Sequence, residues 1–326
     1  MPGRQLLSVR VGSSSGVSAV LDLRPGARDR VCRLVLSSGV GADAARALLG
    51  ASGWDALEDL RLDGNALCPR RRRLDPGPEN LLLLRTDGDD AVLRALARLP
   101  RLKRLVLNGN RLGADGAKRL ACLQGLERLE VRGNDLGDAG AQALSRMEGL
   151  RYLDCCDNGI GPAGAEALGR LPSLETLLAS RNPVRDPGAV GLGAAVGLQD
   201  LRLDRGGLGP DGVAALVALP LQGLDLSGNR IGWRGAKALA GMPSLRSLRL
   251  SDCDLGPRSI RVLAGLAELE RLDLARNRAD GPALRSLVRL RALRHLDLRG
   301  MEVDEATRQG LQGLPELETL RTSPSA

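Results

Sequence analysis

The chain has no phenylalanine, one tyrosine and two tryptophans, so aromatics make up 1% of its 326 residues. Phe, Tyr and Trp dominate the packing of many cores. Here Leu, Val and Ala must fill the interior, which suits a narrow stacked core better than a wide globular one. A single histidine, His295, leaves little scope for imidazole acid–base or metal chemistry. The six cysteines form no C-x-x-C pair and no zinc-like Cys/His spacing, so neither a metal nor a cofactor is expected. Cys155 and Cys156 are adjacent on a predicted strand and should point to opposite faces. Thiols scattered in this way read as kept reduced. No run approaches the roughly 18 apolar residues of a membrane span. Residues 1–20 lack the apolar stretch of a secretory signal, so a cytoplasmic location is the expectation.

Lysine is scarce as well. It occurs only at Lys103, Lys118 and Lys237, so the net charge of +8 is almost entirely arginine. A basic balance can mark a nucleic-acid or anionic-membrane partner. A shortage of Lys, Ile, Asn and Phe together is also what a GC-rich bacterial genome imposes on any protein. Drift is the favoured reading, with neither nucleic acid nor membrane as the expected partner.

What the chain does have is a repeat. The register L-x-x-L-x-L-x-x-N starts at Leu102, Leu126, Leu150, Leu174, Leu198, Leu221, Leu245, Leu269, Leu293 and Leu317, eight intervals being 24 residues and one 23. A period of about 20 to 29 residues with this pattern marks a leucine-rich repeat solenoid. In such a stack each repeat buries its apolar face only against its neighbours.

Each repeat divides in two. The stretch from Leu102 to Leu107 alternates like a half-buried strand, with Leu105 and Leu107 inward and Arg104, Val106 and Asn108 outward. In Leu112 to Leu123, the apolar Ala117, Leu120, Ala121 and Leu123 fall at helical spacing after Asp115 and Gly116, plausible start signals. A strand and short helix, repeated, predict an α/β fold: a curved horseshoe with a parallel sheet on the concave face and helices on the convex face.

The ninth position is Asn at Asn65, Asn110, Asn134, Asn158, Asn182, Asn229 and Asn277. The chain turns there and leaves backbone donors and acceptors buried. An amide offers both donors and an acceptor, so stacked Asn side chains form a structural ladder rather than a site. Gly206, Cys253 and Met301 interrupt it, which predicts weaker amide protection at those rungs.

Upstream the pattern is less clean. Leu57, Leu60, Leu62 and Asn65 make a good rung, as do Val31, Leu34 and Leu36, while Leu81 and Leu84 open a shorter repeat of 21 residues. Residues 68–80, CPRRRRLDPGPEN, contain three Pro and four consecutive Arg and read as a convex-side loop. Residues 6–11 are either a first rung or, with residues 17–23, a hairpin cap; the sequence leaves both open. At the other end, Leu317 and Leu320 begin a rung that stops at Arg321 and Thr322. Because no amphipathic cap follows, that rung is expected to be frayed or shielded. The resulting division is residues 1–30 as a degenerate first repeat or cap, 31–322 as the solenoid of about 13 or 14 rungs, and 323–326 as a polar tail.

The second halves narrow the class. Residues 140–145, 164–169 and 235–240 read GAQALS, GAEALG and GAKALA, the form G-A-x-A-L-[AGS]. This resembles the ribonuclease-inhibitor-like leucine-rich repeats, and in particular the 24-residue bacterial GALA variety, over roughly residues 57–322. The resemblance implies that the repeats bind another protein. GALA proteins of plant-pathogenic bacteria also carry an N-terminal F-box that recruits a ubiquitin ligase. The first 30 residues here are too few and too strand-like for one, so the adaptor role does not carry over.

Candidate chemistry is sparse. His295 lies on the exposed strand face with Asp297, and Ser247 is two rungs away, roughly 10 Å at ~4.8 Å per rung. A nucleophile needs its base within about 3 Å, so a solvated His is favoured and no enzyme is expected. Asp63 and Asp87 would sit on neighbouring rungs beside Arg61 and Arg85, as a surface salt-bridge cluster rather than a cation site. Arg70 to Arg73 have no nearby aromatics to stack bases and read as a solvated loop.

The central exposed column runs Arg61, Arg85, Val106, Glu130, Asp154, Leu178, Arg202, Asp225, Arg249, Asp273, Asp297. Its mixed signs argue against a phosphate trough. Tyr152, Cys156, Thr176 and Leu178 form a less charged patch, flanked by Arg104, Arg128, Arg132, Asp154 and Arg202. That is the composition of an interface centre with a polar rim. The expectation is therefore a non-catalytic scaffold binding another protein on the concave face, over an inner sheet of about 60 Å at ~4.8 Å per rung. No small-molecule substrate is indicated. The alternatives are a basic nucleic-acid-associated protein, or the repeat portion of a ubiquitin-ligase-type adaptor or effector.

Overall fold

The computed structural model describes residues 5–9, 31–36, 59–61, 96, 99 and 101–323. The chain forms two compact units, Met1–Asn158 and Gly159–Ala326.

In the first unit six parallel strands follow in chain order: β1 (Gln5–Val9), β2 (Val31–Leu36), β3 (Asp59–Arg61), β4 (Arg104–Val106), β5 (Arg128–Glu130) and β6 (Tyr152–Asp154). Two helices are described, α1 (Gly113–Leu120) and α2 (Gly137–Leu144). Leu60, Leu105, Leu129 and Leu153 are register partners on successive strands and are fully buried. One inward leucine per rung thus makes a continuous row.

The second unit repeats the plan with β7 (Thr176–Leu178), β8 (Asp200–Arg202), β9 (Gly223–Asp225), β10 (Ser247–Arg249), β11 (Arg271–Asp273), β12 (His295–Leu298) and β13 (Thr319–Thr322), parallel in order. Between them run α3 (Pro162–Gly169), α4 (Arg185–Leu192), α5 (Pro210–Ala215), α6 (Gly232–Leu239), α7 (Pro257–Leu263), α8 (Gly281–Arg285) and α9 (Glu305–Gln312). Leu177, Leu201, Leu224, Leu248, Leu272 and Leu296 form its buried row. In each unit this is the strand-and-short-helix architecture that the 24-residue period predicts.

The Asn ladder is present, and it is structural. Asn134 Oδ1 accepts from the N–H of Asn110 at 2.8 Å and of Leu112 at 3.3 Å, while its Nδ2 donates to the carbonyls of Leu107 and Val131 at 2.8 Å. Asn158, Asn229 and Asn277 make the same backward bond, to Val131, Leu203 and Leu250. Asn110 and Asn182 are buried as well, and Asn65 lies outside the described residues.

The ladder also caps helices. Neither α1 nor α2 has a side-chain cap; instead Gly113 and Gly137 donate to the main-chain carbonyls of Asn134 and Asn158 on the following rung. That contact starts α1 at Gly113, before the expected signal at Asp115 and Gly116. Asp115 falls in the first turn, where a negative charge favours the helix dipole.

At the broken rungs the buried donors are re-bonded locally rather than abandoned. With no amide acceptor ahead of them, Val184 N–H turns back to the carbonyl of Asn182 at 2.7 Å and Ile231 N–H to that of Asn229 at 3.0 Å. The expectation of loose rungs at Gly206 and Cys253 therefore lacks its premise of orphaned donors. Met301 is buried, and its N–H bonds to Leu298 O at 3.1 Å.

The glycine of the G-A-x-A-L motif serves close packing. A Cβ on Gly140 would stand 2.7 Å from that of Leu136 and 3.4 Å from that of Ala117. The tight contact is with Leu136, at the start of the same helix, while Ala117 of the preceding rung would be at ordinary van der Waals distance.

Four details depart from the sequence expectations. β3 pairs directly with β4, Arg61 opposite Val106. The expected column has Arg85 between these two, and the rung expected at Leu81–Leu84 lies outside the described residues. Arg85, Asp63, Asp87 and Arg70 to Arg73 are outside the described set as well. Val106, expected outward, is only 4% exposed, flanked in register by the long side chains Arg61 and Glu130. Asp225, in the same expected column, is also buried, with Arg249 3.6 Å away. Finally, the rung at Leu317 is not frayed: β13 pairs with β12 over four residues. At the other end β1 pairs in parallel with β2, while residues 17–23 lie outside the described set.

Candidate functional site

Alternation along each strand leaves every second residue on the open face of the sheet, opposite the helices. In the first unit this face carries Arg104, Arg128, Arg132, Tyr152, Asp154 and Cys156; Thr176, Leu178 and Arg202 belong to the second unit.

Tyr152 is not an open aromatic. Arg128, its register partner on β5, lays its guanidinium 3.5 Å from the ring centroid. The same guanidinium bonds Glu130 Oε1 through Nε at 3.0 Å and Nη2 at 2.8 Å. Cation–π contact and ion pair hold it over the ring. Arg132 is similarly tied, to Asp157 at 2.9 Å, which raises its pKa above the ordinary guanidinium value. Asp154 accepts from the N–H of Cys156 at 3.1 Å.

Cys156 does not belong on the surface list. It is 7% exposed, and its carbonyl accepts from Asn158 Nδ2 at 3.0 Å. Cys155 is fully buried, and that burial pushes its thiol pKa well up. Both side chains of the pair are thus buried.

In the second unit Thr176 and Leu178 are half-buried, and Leu178 pairs in register with the exposed Arg202. The two large apolar side chains most open to solvent among the described residues are elsewhere. Val190, on α4, is 62% exposed and Val196, in the loop after it, is 79% exposed.

His295 stands where the sequence puts it, on the exposed face with Arg271 as its register partner and Ser247 one strand further. Its ionic neighbour is Glu318, 3.9 Å from Nε2. Its register partner on the other side, on β13, is Thr319. Among the described residues no group of three or more His, Cys, Asp or Glu could hold a metal ion, and no helix is long and apolar enough to cross a membrane.

Sequence reasoning missed the Arg128–Tyr152 stack, although the signal was there. The two residues are 24 positions apart, one full period, and therefore neighbours in one column.

The parallel strands, the inward leucine rows and the Asn ladder in each unit are one repeating device. The chain is a leucine-rich repeat protein. A family model described as leucine-rich repeat matches residues 99–121, 124–145, 220–240 and 241–264. Among solved structures, an internalin (inlF) from Listeria monocytogenes superposes with a TM-score of 0.54 at 18% identity, over 87% of this chain and 89% of its own. Internalin C2 (inlC2) of the same organism gives 0.51 at 22% identity, over 62% of this chain and 83% of its own. At these identities the likeness is one of fold. No curated protein matches this leucine-rich repeat sequence.

Proposed function

We propose that this leucine-rich repeat chain is a non-catalytic scaffold that binds another protein through the open face of its sheet. One observation carries the reading: on a rigid frame of fixed strand spacing, the open face presents chemically varied, half-exposed side chains. In the first unit these are the Arg128-capped Tyr152, Glu130 and Asp154; in the second, Thr176, Leu178 and Arg202. Side chains held this way lose little entropy on docking, which favours association. Aromatic and arginine anchors carry most of the energy of protein interfaces. The signs are mixed, which suits a protein partner better than a polyphosphate.

Photo-crosslinking tests the reading. A benzophenone side chain at Arg202, on the exposed sheet face, should capture a partner protein from native lysate, and one at Arg234, on α6, should not. Tyr152→Ala with Leu178→Ala should weaken the captured complex at least tenfold while the circular dichroism stays unchanged. Capture from the helical side alone would refute the proposal.

A further inference from the structure

The open face of β10 to β13 sinks into a concavity of about 470 Å³ over Leu248, Leu272 and Leu296. Two rows of side chains cross it. In one row Ser247, Arg271, His295 and Thr319 are successive register partners; in the other, Arg249, Asp273, Asp297 and Arg321.

Most of the charges here are already matched. Asp297 holds Arg299 through Nε at 2.9 Å and Nη2 at 2.6 Å. Arg249 leans toward Asp225 at 3.6 Å, and His295 toward Glu318 at 3.9 Å. Two opposite charges in the middle are not matched. Asp273 accepts one bond, from the N–H of Ala275 at 3.0 Å, and among the described residues no cation lies within ion-pairing distance of it. Arg271, two residues before it on β11, is exposed and likewise has no ionic partner. They stand on the same face two residues apart on β11, about 6.6 Å along the strand at roughly 3.3 Å per residue, and their side chains do not pair with each other. Desolvation, then the carboxylates of Asp297 and Asp225, raise the Asp273 pKa above the ordinary Asp value, although the Ala275 N–H and Arg249 act the other way. Its charge thus stands in an unfavourable setting that an incoming cation would relieve.

We infer that this concavity receives an extended segment of a partner protein bearing an acidic and a basic side chain two residues apart, the acid on Arg271 and the base on Asp273. An extended chain places such a pair on one face at the same spacing as the two side chains of β11. Charge complementarity of this kind sets register and rejects partners of a single sign. The inference rests on the scaffold reading and adds the chemistry of the partner.

Parallel display selections from random 12-residue peptides, against the full wild-type chain and its Arg271→Gln and Asp273→Asn variants, test it. Asn at 273 keeps an acceptor for Ala275, so the fold should survive, which thermal melts would verify. Against wild type, peptides with an acidic and a basic residue two apart, in either order, should be enriched about tenfold. Against either variant the enrichment should vanish. Enrichment of one sign only, none at all, or equal enrichment on the variants would overturn the inference. Binders lost with Tyr152→Ala but kept with both concavity variants would overturn it and leave the scaffold reading standing. Binders that cross-link only to the helical side would overturn both.

Discussion

The Sγ of Cys253 donates to the carbonyl oxygen of Leu226 at 3.2 Å, the bond that Nδ2 of Asn277 makes to Leu250 at 2.7 Å one rung further on. Both bonds span 27 residues, so a thiol stands in for an amide in the ladder. Burial pushes the Cys253 pKa up to about 12, which keeps the thiol protonated and able to donate. What it lacks is the forward-facing acceptor, and for that reason Ile231 N–H turns back on Asn229.

Cys253→Asn should therefore be tolerated, and Cys253→Ala should cost about 1–3 kcal/mol through the lost bond and the small cavity. Denaturant melts check the order of the three proteins. In the native state a thiol reagent at pH 8 should modify the exposed Cys122 and spare Cys155 and Cys253, as mass mapping would show.

Asn134→Ala should destabilise far more than an exposed substitution. It leaves the donors of Asn110 and Leu112 and the acceptors of Leu107 and Val131 without the amide they share. At about 1–3 kcal/mol per unsatisfied buried group, partial re-bonding still leaves a loss of roughly 2–5 kcal/mol. Hydrogen exchange should quicken at Asn110 and Leu112 first.

Gly191→Ala pits helix propensity against space. Alanine adds about 1 kcal/mol of intrinsic preference. Its Cβ would meet the Cα and Cβ of Glu166, on α3, at 2.6 Å, and a backbone contact cannot swing away. Overpacking of this kind costs about 1–3 kcal/mol, so the variant should melt lower than wild type.

Asp273→Asn should raise stability at neutral pH. With its folded pKa above the unfolded one, Asp273 binds more protons folded than unfolded across the window between them. Stability from this group thus falls as pH rises through that window. Above the window the wild type carries the full penalty and Asn carries none. Melting temperatures of the two proteins should converge as pH is lowered into the ordinary carboxylate range and separate above it. Convergence in the opposite direction would contradict this.

The period, the leucine row and the Asn ladder were legible in the sequence because each depends on a residue's distance from its copy 24 positions away. A strand one rung on repeats the same environment, so spacing alone names the neighbour: Leu129 beside Leu105, Asn134 reaching Leu107. The surface was legible only as composition. Cys156 looked exposed by alternation, yet the fold covers it. Val106 looked outward, and long neighbours in register cover it.

By itself the amino-acid order determined what is local or periodic: which residues form strands, which face inward, and which amides replace lost backbone partners. The folded arrangement decided which charges meet. Asp297 takes Arg299, Arg249 turns to Asp225, and Arg271 and Asp273 are left over between them. Ion pairing depends on side-chain reach and rotamer across neighbouring strands, to within a few tenths of an ångström, and a repeat pattern carries no such information.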